Sequence, residues 1–567
     1  MVKPLQFVQN PKAHWTIMVL LAIYQLVRLV LFANTYGGVE HDSGWFLGIS
    51  RSLAERGSYT TMVSSVADPT PGGQRNIYGQ YKVQDEQGRI YFFPESIGAP
   101  GIIPDAIIIK LFGAGFWQYR AGPLLFFLTG ILMASYLLYQ VAKLLPVLVM
   151  HLFLFFYPHL FIFLGYEAMG EIFSLTYILL AFVLFMAATQ AKKRRMFWFL
   201  ACGVAAGLAF TTKTIALMPL GGLFLAWLLM YWEKSSSLKE GLMLGGSLAL
   251  VRILWELVQL VSLTLLFDFQ TYRGFLGQHI DFFLNEGGSG VGGQTANSLA
   301  RFWPKILIVQ EISSLSNDTL SFILFLIILL SGSLLIWRLF KDKTRRNVVI
   351  LLWAGWFLHS LWFTFISSYR WVRHDWHALI LAVLLLSFLT AYLWQQVSKP
   401  LRVTRLIAPV LLSGVLLIGF MDQADTASLV VSDRLVERWY NERLAMPNVR
   451  IPWSLVPNQA QQDAVDFIAQ LPPNARVFYP EGHKSAEMAV LTGRILYPIE
   501  RRRLMPSVEG DVVLIGPSLI SPWRKPGERY ISRAEQQAFI EGVMEQVRRE
   551  CPQIIFENSY YIICALE

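Results

Sequence analysis

The chain has 567 residues, of which 54% are hydrophobic and 15% charged, whereas a soluble domain carries about a quarter of its residues as charges; a wholly soluble protein is excluded. The net charge of +9 comes from basic residues scattered between apolar runs, with no aromatic-interleaved stripe, which excludes a nucleic-acid-binding module. Three cysteines without Cys-x-x-Cys or Cys/His spacing exclude structural zinc.

The first apolar run, 14–32, is long for a cleaved signal and lacks a small-x-small cleavage site, so it reads as an uncleaved span. Arg28 lies within it, and a charge at that depth faces a protein interior or snorkels to the interface. Residues 34–118 form a long loop. It holds an amphipathic helix (45–56), a polar stretch (67–89), then Phe93-Pro94-Glu95 and an apolar segment, 102–112, too short to cross and suited to the interface. Further spans are predicted at 119–141, 144–164, 172–190, 197–212, 215–232, 241–267, 318–337, 347–366, 378–397 and 406–421. With the first, that makes about 11 crossings, counted with a window of roughly 20 residues.

Alternate connections are strongly basic, as in Lys192-Lys193-Arg194-Arg195 and in Lys341, Lys343, Arg345 and Arg346. The other side has chiefly Lys213, Arg370 and Arg373. The positive-inside rule therefore predicts a cytoplasmic amino terminus in a cell membrane, with the first loop, a second loop at 268–317 and the tail outside. The second loop contains Glu286-Gly287-Gly288-Ser289-Gly290-Val291-Gly292-Gly293, a flexible segment without the Lys-Ser/Thr ending of a P-loop. The tail, 422–567, alternates predicted helices (459–470, 532–550) with short strands (476–479, 494–497, 511–515, 560–564). The fold class is a polytopic α-helical membrane protein, 1–421, with a C-terminal extracytoplasmic α/β domain, 422–567. Cys551 and Cys564 share that outer tail and are candidates for a disulfide.

Polar residues recur where spans meet the outer side. Glu40 and Asp42, in Val39-Glu40-His41-Asp42-Ser43, stand where the first span emerges. They suit a base that deprotonates a hydroxyl or a metal ligand; equally, Asp42 or Ser43 suits the N-cap of the helix that follows. Glu167 and Glu171 follow the third span. Lys213 is boxed between apolar segments, where a bound phosphate or an interfacial position would satisfy its ammonium. Tyr369, Arg370, Arg373 and His374 precede the tenth span, and the two arginines, three apart, offer bidentate phosphate donors or the flanking charges of an aromatic belt.

In this order, the motifs resemble the C-type glycosyltransferase superfamily, in particular its protein O-mannosyltransferase and aminoarabinose-transferase branch. The residues concerned are Arg28 ahead of Glu40-His41-Asp42; Phe93-Pro94-Glu95 with Lys110-Leu111-Phe112-Gly113; Tyr166-Glu167-Ala168-Met169-Gly170-Glu171; and the run from Gly203 to Lys213. The resemblance spans about 14–421 and implies an inverting transfer of a sugar from a polyprenyl-phosphate donor to a lipid, glycan or protein hydroxyl. It assigns the base role to Asp42, with Glu40 beside it, phosphate binding to Lys213, Arg370, Arg373 and His374, and support to Glu167, Glu171, Arg28 and Tyr369. Where an acidic residue often follows the aspartate, this chain has Ser43, so a divalent cation stays an open candidate as cofactor. The alternatives are a transporter or flippase of a lipid-linked saccharide, and a non-catalytic envelope assembly protein.

Overall fold

A computed structural model describes residues 11–36, 39, 41–64, 74–75, 81–93, 97–156, 165–281, 318–339, 341–363, 372–397, 458–480, 485–506, 508–516, 551, 553–558 and 561–566. The helices, in order, are α1 (Pro11–Tyr36), α2 (His41–Arg56), α3 (Ala99–Phe112), α4 (Phe116–Ala142), α5 (Leu144–Phe156), α6 (Glu171–Gln190), α7 (Arg195–Thr212), α8 (Leu217–Trp232), α9 (Leu238–Leu266), α10 (Phe269–Asp281), α11 (Asp318–Arg338), α12 (Lys343–Leu361), α13 (Val372–Val397), α14 (Asn458–Ala469) and α15 (Ala486–Thr492). The strands are β1 (Thr60–Ser64), β2 (Gln74–Arg75), β3 (Tyr81–Lys82), β4 (Arg89–Tyr91), β5 (Val477–Tyr479), β6 (Leu496–Pro498), β7 (Val512–Ile515), β8 (Gln553–Glu557) and β9 (Ile562–Ala565).

Among the described residues, seven helices are long and apolar enough to cross a membrane: α1, α4, α6, α7, α8 with its preceding turn, α9 and the apolar part of α13. The protein is thus a mostly helical, multi-pass membrane protein. The apolar stretches of α5 and α11 are shorter, Leu144–Phe155 and Leu326–Arg338, and α12 opens with Lys343, Arg345 and Arg346. The span expected at 406–421 lies outside the described residues, as do the glycine-rich segment and the helix expected at 532–550.

Within the bundle α6 packs on α7, α7 on α9, and α12 on both α8 and α13. The run that begins at Gly203 owes its small residues to the α7–α9 contact. A Cβ added at Gly207 would come within 2.9 Å of the Leu248 carbonyl of α9, so glycine there lets the two backbones approach as small residues do between membrane helices. The Ser247 hydroxyl donates across the same seam to the Leu200 carbonyl at 3.1 Å.

Outside the bundle the first loop and the tail build one seven-stranded sheet, ordered β4-β1-β6-β5-β7-β9-β8. β1 is antiparallel to β4 and parallel to β6, β6 and β7 flank β5 in parallel, and β9 is antiparallel to β7 and β8. The predicted tail strands at 476–479, 494–497, 511–515 and 560–564 correspond to β5, β6, β7 and β9, and the helix at 459–470 to α14. Cys551 and Cys564 form a disulfide between the start of β8 and β9, with Cα atoms 5.9 Å apart.

Candidate active site

The acidic segment is held where α2 begins. That helix starts at His41, four residues before the predicted boundary, so Asp42 sits half-buried in its first turn and not at its N-cap. The positive end of a helix dipole is a favourable setting for an anion. Apolar residues fix α2 from both sides: Trp45 stacks on Phe93 with ring centroids 4.9 Å apart, and the Ser50 hydroxyl donates to the Ile102 carbonyl of α3 at 3.2 Å. Gly44 meets the backbone of Ala486 and Glu487 in α15, closely enough that any Cβ there would collide with it.

Ser43, the residue that departs from the expected acidic pattern, donates its hydroxyl to Glu167. Glu167 is also paired with Arg120 of α4 at 3.0 Å, both side chains being fully buried. The same guanidinium donates to the Tyr166 carbonyl at 3.0 Å and lies 4.6 Å from the Tyr166 ring centroid. Three residues on, the chain turns into α6 through Gly170, whose φ of 89° is in the left-handed region that only glycine enters freely. This turn places Glu171 in the first turn of α6. There it pairs with Lys213, which follows the last residue of α7 in an extended conformation and also donates to the Met169 carbonyl at 3.2 Å. The carboxylate is fully buried, whereas the Lys213 side chain keeps 21% of its surface exposed, so of this pair it is the lysine that can meet a ligand. The Gly98 amide caps the end of α7 by donating to the Thr212 carbonyl at 3.0 Å, which ties the start of α3 to Lys213.

Ser43, the residue after Asp42, is thus hydrogen-bonded to Glu167, and four residues further along the chain Glu171 pairs with Lys213. Asp42, Glu167, Glu171 and Lys213, all singled out from sequence, belong to one region. The Arg28 guanidinium donates to Gln25 at 2.8 Å and to the Leu154 and Phe155 carbonyls at the end of α5, at 3.2 and 3.3 Å. Glu40, Tyr369 and Arg370 lie outside the described residues. Arg373 and His374 fall in the first turn of α13.

Arg120 and Ser174 were missed. Arg120 stands at the edge of a predicted span, where a charge passes for an ordinary flank. Ser174 and His377 form a buried pair behind Glu171, with oxygen and Nε2 2.8 Å apart, and His359 lies beyond, its ring centroid 5.6 Å from that of His377. Ser174 has no sequence signal beyond the usual polar residue in a span, whereas His377 closes the polar segment that precedes the tenth predicted span.

Among the described residues no group of three or more His, Cys, Asp or Glu side chains could hold a metal ion. The two buried carboxylates of the 166–171 segment are each neutralised by a cation, Arg120 or Lys213, so this donor set does not fit a divalent ion.

The structure joins a helical membrane bundle to a sheet that the first loop and the tail build together. The structure is similar to that of ArnT from Cupriavidus metallidurans, both bound to undecaprenyl phosphate (12% identity, 97% of each chain covered, TM-score 0.54) and in the apo state (12%, 98% of each chain, TM-score 0.53). A looser likeness, with a TM-score of 0.48 and 11% identity, links 89% of this chain to 69% of the archaeal oligosaccharyltransferase AglB from Archaeoglobus fulgidus. No protein-family model and no curated protein matches the chain by sequence, and at such identities the likeness speaks for the fold alone.

Proposed function

We propose that the protein is an integral-membrane glycosyltransferase that moves a sugar from a polyprenyl-phosphate donor to an acceptor hydroxyl on the outer face of the membrane, with inversion. The observation that carries this reading is that Ser43, next to Asp42, bonds Glu167, four residues before the Glu171 that pairs with Lys213. It lies within a fold that matches 97% of an ArnT crystallised with undecaprenyl phosphate. A carboxylate that can accept a proton and an ammonium that can meet a phosphate are the two groups such a transfer needs.

In this mechanism the acceptor oxygen attacks the anomeric carbon while Asp42 takes the hydroxyl proton, and the bond between that carbon and the phosphate oxygen breaks. The leaving group is the polyprenyl phosphate. Lys213 stabilises its charge, together with Arg370, or with Arg373 and His374 in the first turn of α13. Arg120, Ser43 and Glu167 hold the base and the 166–171 turn in mutual register, and Glu171 keeps Lys213 pointed at the site until phosphate arrives. No step is routed through a metal.

The outward orientation rests on the distribution of basic residues and on the Cys551–Cys564 disulfide, which belongs to an oxidising compartment. The direct test is incubation of the purified full chain in detergent with a panel of radiolabelled polyprenyl-phosphate sugars, scoring release of the lipid phosphate. Asp42→Asn keeps the size of the side chain and removes the proton acceptor, so turnover is expected to fall by roughly 100-fold or more at unchanged donor binding. Transfer by Asp42→Asn at the wild-type rate would overturn the assignment, and a transporter would show no such defect.

A further inference from the structure

The tail grips the acidic segment as well as packing beside it. Val39, between the end of α1 and the start of α2, belongs to no helix or strand, and buried backbone groups need partners. Val39, 1% exposed and three residues before Asp42, finds both of its partners in one side chain of the tail. The Gln461 carbonyl oxygen accepts the Val39 N–H at 2.8 Å, and the Gln461 amide donates to the Val39 carbonyl at 3.2 Å. A primary amide offers one acceptor and two donors in a plane, so Gln461 serves Val39 as a neighbouring strand would, and its remaining N–H donates to the Tyr561 hydroxyl of the tail at 3.1 Å. Gln461 is itself 2% exposed. One turn earlier on the same helix, Asn458 donates to the Ala33 and Asn34 carbonyls at 2.6 and 2.9 Å. The helix α14 therefore fixes the connection where it leaves α1 and where it enters α2.

We propose that Gln461 is a positioning residue of the transfer site, holding Val39 so that the first turn of α2 presents Asp42 at a fixed place and angle. The activity arm of this inference rests on the reading of Asp42 as the base; the clamp itself does not. A misplacement of about 1 Å in a reacting group can cost on the order of 100-fold in rate, while Lys213, the proposed phosphate ligand, is not among the hydrogen-bond partners of Gln461.

The test uses the full-length protein with Gln461→Ala and Gln461→Met; the second keeps the length of the side chain and removes both amide groups. Turnover is expected to fall about tenfold to 100-fold in both, with the donor KM held within about twofold. Hydrogen exchange should accelerate in the peptide covering 36–43 and stay unchanged in the peptide covering 486–492. Wild-type turnover in the Met variant, or wild-type exchange at 36–43, would overturn the proposal. So would exchange that rises across the tail as well, since that marks a residue needed for folding alone. If exchange at 36–43 rises but the wild-type protein turns over none of the donors, the clamp stands and the glycosyl-transfer reading falls.

Discussion

Lys213 is bound on the protein side by a buried carboxylate and a backbone carbonyl, yet part of it stays open. Removing it should therefore act on recognition. For Lys213→Ala the expected result is a raised donor KM, with turnover recovering toward the wild-type value as donor saturates; an unchanged KM with a depressed kcat would assign it to the chemical step instead. Arg120 makes the opposite case, because nothing of it is exposed. Arg120→Ala strands the Glu167 carboxylate without its cation, which costs about 3–5 kcal/mol for a buried pair. The double replacement Arg120→Met with Glu167→Met should cost far less, and thermal unfolding in detergent would separate the two. Sequence reading found Lys213, Glu167 and Glu171 because a charge between apolar runs is expensive wherever it ends up. It passed over Arg120 because a charge at the end of a span is ordinarily cheap, and only the packed bundle reveals that this end is dry.

At the scale of elements, helices were legible and pairing was not. Apolar length identifies α1, α4, α6 to α9 and α13 without reference to any partner, and alternation marked four of the tail strands. β1, with the sequence Thr-Thr-Met-Val-Ser, is buried along its length but has too few apolar residues to stand out in a polar loop, and its neighbour β6 lies far along the chain. β8 was missed because its residues are only partly buried and its register to β9 shifts midway. The tail sheet should also sense acid. Burial pushes the Asp511 carboxyl up, but hydrogen bonds from the Arg476 side chain and backbone outweigh it, and the carboxyl is held below its ordinary range. A carboxyl depressed in the folded state stabilises that state above its unfolded pKa, about 3.9, and the contribution disappears as pH falls through the folded value. Limited proteolysis of the tail should thus accelerate below about pH 4. Asp511→Asn should be the less stable protein at neutral pH and show a weaker acid dependence; an identical pH profile for the two would exclude this role.

For the molecule as a whole, the proposed orientation, with the tail outside, can be tested directly. A cysteine introduced by Ser507→Cys is expected to react with a membrane-impermeant reagent on intact cells. Reaction only after lysis would reverse the topology and remove the transfer reading with it.

The shared sheet has a consequence in time. Val63 of β1 pairs with Leu496 of β6, about 430 residues further on, and synthesis at roughly 5–20 residues per second separates their emergence by about 20–90 s. Throughout that interval the β1 edge that will receive β6 stays open, and the whole bundle must be made before its partner strand exists. The proposed transfer site is therefore among the last parts of the molecule to be completed, and a nascent chain cut short before the tail lacks the Gln461 clamp on Val39, three residues before Asp42.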